Sequence, residues 1–340
     1  MHLLSKAFHG TRRHALLIAM AITSASTAVW PTAAQAQAAP AAADFPNKPI
    51  HFVVPFPPGS GTDVGARFFA RKLSELAGQP VIVDNRAGGN GFIAVKAVTA
   101  APADGYTLLM GSNSTLATNV ALFKQLPYDP VKDLLPVSTL MRSPIVLIVP
   151  ANSPYKSLKD LIDAARGKPG QTTFASGSAA YQLMGELFAD KAGIKLLNVP
   201  YKGAPEAVNA TISAQTDLGF ADITATMELL RGNKIRALAI AADQRLSSLP
   251  DVPTARELGI DGFSADTWTG VAVAAGTPRP VVDKLAALFV KMLAMPETVD
   301  FYAKQNVIVM KGGQDELRTF QREQIDVWKR IAAAAKIELQ

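Results

Sequence analysis

Short apolar runs alternate with amphipathic stretches along most of this chain, and the alternation predicts an α/β fold. Ile50 to Pro55 is a β-branched and aromatic run, which predicts a strand buried on both faces. Thr62 to Leu76 places Val64, Phe68, Leu73 and Leu76 on or near one helical stripe. A strand at Val81 to Val83, a helix over Phe92 to Ala101 and a strand over Tyr106 to Met110 continue the grammar. It resumes with a strand from Ile145 to Val149, entered at Pro144 and left at Pro150. Ser157 caps a helix over Ser157 to Ala165. Further strands are expected at Thr172 to Ala175, Leu196 to Val199, Leu218 to Ala221, Ile235 to Ala241 and Gly270 to Ala274. The helices between and after them cover Ala180 to Ala192, Ala204 to Ala214, Thr224 to Arg231, Val281 to Leu293 and Asp315 to Ala335. Gly193 and Gly232 stand where helices end. Strand, small-residue loop, helix is the βαβ signature of a doubly wound sheet flanked by helices.

The start of the chain breaks this pattern. Lys6, Arg12 and Arg13 precede an apolar run from Ala15 to Val29, and then small residues dominate. Ala34-Gln35-Ala36 and Ala36-Gln37-Ala38 both fit an A-x-A cleavage site. Residues 1–38 therefore read as a cleaved export signal, which places the mature protein in the periplasm. Thr11-Arg12-Arg13 also carries a trace of the twin-arginine route. No later run is long and apolar enough for a span of about 20 residues. The leader holds three of the 34 basic residues and none of the 28 acids, so its removal lowers the formal charge from +6 to +3. No basic block follows residue 44, which argues against a nucleic-acid partner. The remaining length, roughly 300 residues, exceeds what a single core usually organises, so two lobes are expected.

The inventory of reactive side chains is poor. Cysteine is absent, and His51 is the only histidine after the leader. His51 sits inside the first strand, where it reads as a strand-edge side chain. There is no G-x-S-x-G elbow and no histidine pair at metal-ligand spacing. Gly59-x-Gly61 is followed by Gly65, one residue too late for the dinucleotide fingerprint. No cofactor or metal is implied, and a binding protein is favoured over an enzyme. Trp268 and Trp328 read as core, with Trp268 near a crossing between lobes.

The loops are more informative. Phe56-Pro57-Pro58-Gly59-Ser60-Gly61-Thr62-Asp63, Gly111-Ser112-Asn113-Ser114-Thr115 and Ser176-Gly177-Ser178-Ala179 each join a strand's C-terminal end to a helix's N-terminal end. Unpaired backbone N–H groups and the helix dipole favour an anion there, and ligands of open α/β sheets sit in that crevice. Two such loops from different lobes can grip one carboxylate without Arg or Lys. The same Ser, Thr, Asn and Asp residues also serve as plain helix caps. Asp63, Asp84 and Asp222 follow strands, and Asp63 or Asp222 can meet an ammonium or merely cap a helix.

The run Pro49 to Asp63 (Pro-Ile-His-Phe-Val-Val-Pro-Phe-Pro-Pro-Gly-Ser-Gly-Thr-Asp) resembles the opening of the Bug-type extracytoplasmic solute-binding receptors of tripartite tricarboxylate transporters. The likeness continues in order through Asp84 to Gly91, Asp104 to Leu109, Leu126 to Pro130, Val199 to Gly203, Leu249 to Thr254 and Ala275 to Pro278. The resemblance implies a two-lobed periplasmic-binding-protein (Venus flytrap) fold closing on a small organic carboxylate, with membrane transporter subunits as partners. It implies a first lobe of residues 44–145 and 270–340 and a second of 146–269. It also implies a ligand held by the first loop (Gly59, Ser60, Gly61, Thr62, Asp63) and by Ser176, Gly177, Ser178 and Ala179. Phe56, Ser112, Asn113, Tyr201 and Asp222 would line the pocket. The second loop departs from the family pattern. It runs from Phe174-Ala175-Ser176 through Ala180 to Tyr181-Gln182-Leu183, about two residues short. That is where ligand choice would be made. A monomer is expected because a flytrap must open. Two other readings stand beside this one: an exported α/β enzyme acting on a small carboxylate, and a ligand sensor for a signalling partner.

Overall fold

The computed structural model describes residues 44–340. The expected export signal lies outside them. Among the described residues no helix is long and apolar enough to cross a membrane.

The chain opens with β1 (Ile50–Val54), α1 (Gly61–Ala77), β2 (Val81–Asn85), α2 (Phe92–Thr99) and β3 (Thr107–Ser112). A single π-helical turn over Ser114–Thr118 leads into the short α3 (Asn119–Leu122). Then come β4 (Leu134–Pro150), α4 (Leu158–Gly167), β5 (Thr172–Ser176), α5 (Ala179–Ala192) and β6 (Leu196–Pro200). They are followed by α6 (Ala204–Ile212), β7 (Leu218–Asp222), α7 (Ile223–Arg231) and β8 (Ile235–Ile240). The chain closes with β9 (Asp266–Ala274), α8 (Arg279–Leu293), α9 (Pro296–Ala303), β10 (Ile308–Val309) and α10 (Gln314–Ala334).

The local signals explain most of these boundaries. Ser60 caps α1 by accepting from the Asp63 amide at 3.2 Å, and Gly78 ends that helix at φ +67°. Ser157 and Asp160 form a reciprocal capping box at the start of α4. Gly193 closes α5 in the left-handed conformation.

Strand pairing divides the molecule at β4. On one side β2, β1 and β3 run parallel, and β9 joins β3 and β4 to each other in antiparallel register. On the other, β6, β5 and β7 run parallel, with β7 and β8 antiparallel to β4. Residues Leu134 to Pro144 of β4 pair with β9, and Ile145 to Pro150 pair with β7 and β8. One strand thus serves both halves, changing partners at the Pro144–Ile145 step. Each half has its own aromatic core. Phe52, Phe69, Phe289 and Tyr302 pack together in the first, and Phe174, Phe188, Phe220 and Phe263 in the second.

Two strands are longer than the sequence suggested. β4 begins at Leu134 rather than Ile145, and β9 at Asp266 rather than Gly270. Pro144, read as the strand's entry, lies within it, and register shifts at Pro136/Ser138 and Thr139/Met141 accommodate the irregular stretch before it. His51 is not at a sheet edge: β1 is paired on both sides, and the imidazole lies on an exposed face while its four strand neighbours are buried.

Candidate functional site

β1, β3, β5 and β7 each deliver their C-terminal end to one cleft, because parallel strands within a half point the same way and the two halves face each other across β4 and β9. A narrow cavity lies there. Its wall from the first half is Phe56, Ser60, Gly61 and Thr62 after β1, with Ser112 and Asn113 after β3. The opposite wall is Gly177, Ser178 and Tyr181 after β5, Ala204 of α6, and Asp222 and Thr224 after β7. The floor is Met141 and Ser143 of β4 with Thr267, Trp268 and Thr269 of β9. The cavity volume is about 40 Å³. A water needs roughly 10–15 Å³, so this is a nearly closed cleft.

Three helices aim their N-termini at this space. α1 presents the amides of Gly61 and Thr62, which its own ladder leaves without acceptors. Ser178 caps α5 and Asp222 caps α7. The two walls meet in places. The Ala180 amide of α5 donates to Ser114 Oγ at 3.2 Å, and Ser112 is held by reciprocal bonds with Thr115. Glycine is required at Gly61, where a Cβ would stand 2.8 Å from Asp222 Oδ1. Gly203 makes a similar approach to Pro57, 2.4 Å from a built Cβ.

Among the described residues no lysine, arginine or histidine lines the cavity. What it offers instead is hydrogen-bond donors. Asn113 Nδ2, Ser143 Oγ and Thr269 Oγ1 are buried without partners, as is the Trp268 indole N–H. Leaving such groups unpaired costs about 1–3 kcal/mol each, and each of them can donate to an acceptor supplied from outside.

Asp222 is the single acidic side chain in the lining, and it is 5% exposed. Its Oδ1 accepts from the Ala225 amide at 3.0 Å and its Oδ2 from the Tyr181 hydroxyl at 2.8 Å. Burial pushes its carboxyl above the usual range, and the bond from Tyr181 only partly offsets this. Burial, together with the adjacent Asp222, pushes the Tyr181 phenol well up.

Of the residues singled out from the sequence, Phe56, Ser60, Gly61, Thr62, Ser112, Asn113, Gly177, Ser178 and Asp222 line this cavity. Gly59, Asp63, Ser176, Ala179 and Tyr201 do not. Gly59 and Asp63 hold each other instead. The Gly59 amide donates to Asp63 Oδ2 at 3.0 Å, and Arg67 and Asn85 complete the carboxylate's shell. Ser176 is 2% exposed, and its carbonyl accepts from the Tyr201 amide at 2.8 Å. Tyr201 lines an adjoining surface hollow with Gly88, Gly89 and Lys202, which shares Phe56 and Gly177 with the cavity. Ala179 is buried in the first turn of α5. Sequence reasoning missed Met141, Ser143, Tyr181, Ala204, Thr224, Thr267 and Thr269, and Trp268, read as core, borders the cavity as well. No motif marks residues in the middle of strands, and Ser143 lay outside the strand as read from sequence. Tyr181 had one signal: it directly follows the shortened loop.

This arrangement recurs in known proteins. BugT of Bordetella pertussis is 37% identical over 295 residues, covering 86% of this chain and 90% of its own. An R. palustris protein solved with adipate superposes at a TM-score of 0.84 with 31% identity, covering 87% of this chain and all of its own. MatC from Rhodopseudomonas palustris, solved with bound malate, gives 0.80 and 30%, covering 84% of this chain and 99% of its own. The profile described as "Tripartite tricarboxylate transporter family receptor" matches residues 65–337. The two-lobed fold of periplasmic binding proteins is therefore this chain's fold, and because the match spans most of the chain, from α1 through both halves to α10, the chain belongs to the receptor family of the tripartite tricarboxylate transporters.

Proposed function

We propose that this receptor works in the periplasm, captures a small organic carboxylate between its lobes and hands it to membrane transporter subunits. The observation that carries the carboxylate reading is the cavity's chemistry. Buried donors without partners and helix amides left without ladder acceptors converge there. Adipate and malate in two structural relatives support the same class. Residues 44–145 with 270–340 form one lobe and 146–269 the other, a division supported by the change of partners at Ile145 of β4. Ser60, Gly61 and Thr62 hold the carboxylate from the first lobe and Gly177 and Ser178 from the second. Phe56, Ser112, Asn113 and Asp222 complete the pocket. Contacts to both lobes favour the closed state, and the equilibrium shifts by the ligand's differential affinity for it. The protein acts as a monomer and performs no chemistry on its ligand.

A thermal-shift screen of the mature protein, unfolded and refolded to strip carried ligand, tests this reading. The panel pairs small carboxylates with their amides. At 100-fold excess over Kd the gain is about 2.7 kcal/mol. A shift with an acid and none with its amide is expected. No shift across the panel with a folded protein overturns it.

A further inference from the structure

Asp222 stands beside the place proposed above for the ligand's carboxylate. A Cβ built on Gly61 would lie 2.8 Å from Asp222 Oδ1 and 2.9 Å from Oδ2, so the carboxylate already stands against the first turn of α1. The amides of Gly61 and Thr62, offered above to the ligand, are in that same turn. Two carboxylates brought together at one dry position do not both stay ionised; one is forced to hold a proton.

Among the described residues no cation lines the cavity to relieve the pair, and Tyr181 is the only titratable side chain bonded to Asp222. On the elements packed around it, the charged groups are engaged elsewhere. Asp63 and Arg67 of α1 hold each other, and Arg142 of β4 holds Asp266. Glu228 and Arg231 pair at the far end of α7, and Arg236 of β8 donates to the carbonyls of Ala151 and Tyr155. Glu186 of α5 and Glu206 of α6 line no part of the cavity.

We propose that the bound acid and Asp222 form a carboxyl–carboxylate pair sharing one proton taken from solvent, so that the receptor takes up its ligand together with a proton. This rests on the carboxylate reading above. Asp222 then selects against ligands whose inner carboxylate cannot accept or share that proton. It also makes affinity depend on pH well above the range where the ligand itself titrates. Burial already raises the Asp222 carboxyl in the ligand-free form. A second carboxylate raises it further, and Tyr181, itself raised well above its usual value, stays protonated throughout. Affinity therefore falls as pH rises through the ligand-free value, and levels off only above the bound one.

Calorimetry with adipate and with malate, using adipamide as the neutral control, tests this between about pH 7 and 10, where both acids are almost fully ionised. The expected Kd rises over part of that window by up to about tenfold per pH unit. Buffers of different ionisation enthalpy should report uptake approaching one proton. Asp222→Asn, checked for an unchanged circular dichroism spectrum, should flatten the profile. Tyr181→Phe removes the bond that favours the ionised form, and should move the rise to higher pH, a change that a purely structural tyrosine would not produce. A flat wild-type profile without proton uptake overturns the proposal while leaving the carboxylate reading intact. So does a slope that survives in Asp222→Asn, or a receptor that binds only an amino acid such as aspartate with a flat profile, which assigns Asp222 to an ammonium. Failure of every acid to bind removes both.

Discussion

Asp63 stands in the first turn of α1, turned away from the cavity, and Asp222 caps α7 and lines it, and both are nearly inaccessible to solvent. Burial acts to raise both carboxyls. At Asp63 it is outweighed by bonds from Arg67, the Gly59 amide and Asn85 and by the Arg67 charge, and the group ends below the usual range. At Asp222 the leading opposition is one tyrosine hydroxyl, followed by backbone amides, and the group ends above it. The difference lies in the company each keeps. Asp63 is fully partnered and fixes the loop's shape. Asp222 lacks a cation, faces the cavity and is left with capacity to respond to what enters.

Breaking the partnered member should cost most in stability. Asp63→Ala removes the acceptor of the Gly59 amide and one of the two acceptors of Asn85 Nδ2, an expected loss of about 1–2 kcal/mol, measurable by urea denaturation. The Arg67 share is small because that side chain is half exposed. A depressed carboxyl stabilises above its unfolded value and ceases to do so as pH falls through the folded one. The wild type should therefore lose stability below about pH 4, and Asp63→Asn should lose less over that interval.

Crowding the gap between the walls should act on binding instead. Gly61→Leu places a side chain where Asp222 already stands, at an overpacking cost of roughly 1–3 kcal/mol charged to the closed form. Ligand affinity should fall at least tenfold in calorimetry, with a smaller change in the melting temperature. The floor offers a finer distinction. Ser143→Ala and Thr269→Val remove buried hydroxyls that have no partner. Stability should hold or rise, while each loses about 0.5–1.5 kcal/mol of ligand affinity. Equal losses in both would mark these hydroxyls as structural.

The smallest effect is expected at the unpartnered member. A raised carboxyl destabilises the folded protein as pH rises above its unfolded value, because the native state holds the proton longer. Asp222→Asn keeps the cap to Ala225 and removes that dependence. Its ligand-free stability at neutral pH should equal or slightly exceed the wild type's, by thermal denaturation.

Legibility in the sequence followed the range of the interactions. Strand–loop–helix units are local, so Ser157 and Gly193 announced their helix ends correctly. The loops that carry Gly61, Ser112 and Ser178 could be placed at strand ends for the same reason. What two distant segments build together could not be read. The 17-residue β4 depends on β9, more than a hundred residues away, to hold its proline-interrupted half. Ser143 and Thr269 reach the cavity only through that pairing. Asp63 and Asp222 looked alike in sequence, since the partners that separate them, Asn85 and Tyr181, arrive from other elements.

The most direct test of the account is a crystal structure of the receptor with the acid that stabilises it most. The account predicts a ligand carboxylate oxygen within about 3 Å of the Gly61 or Thr62 amide, enclosed by Ser178 and adjacent to Asp222. A ligand seated instead in the surface hollow beside Tyr201, with the cleft between α1 and α5 empty, would contradict it.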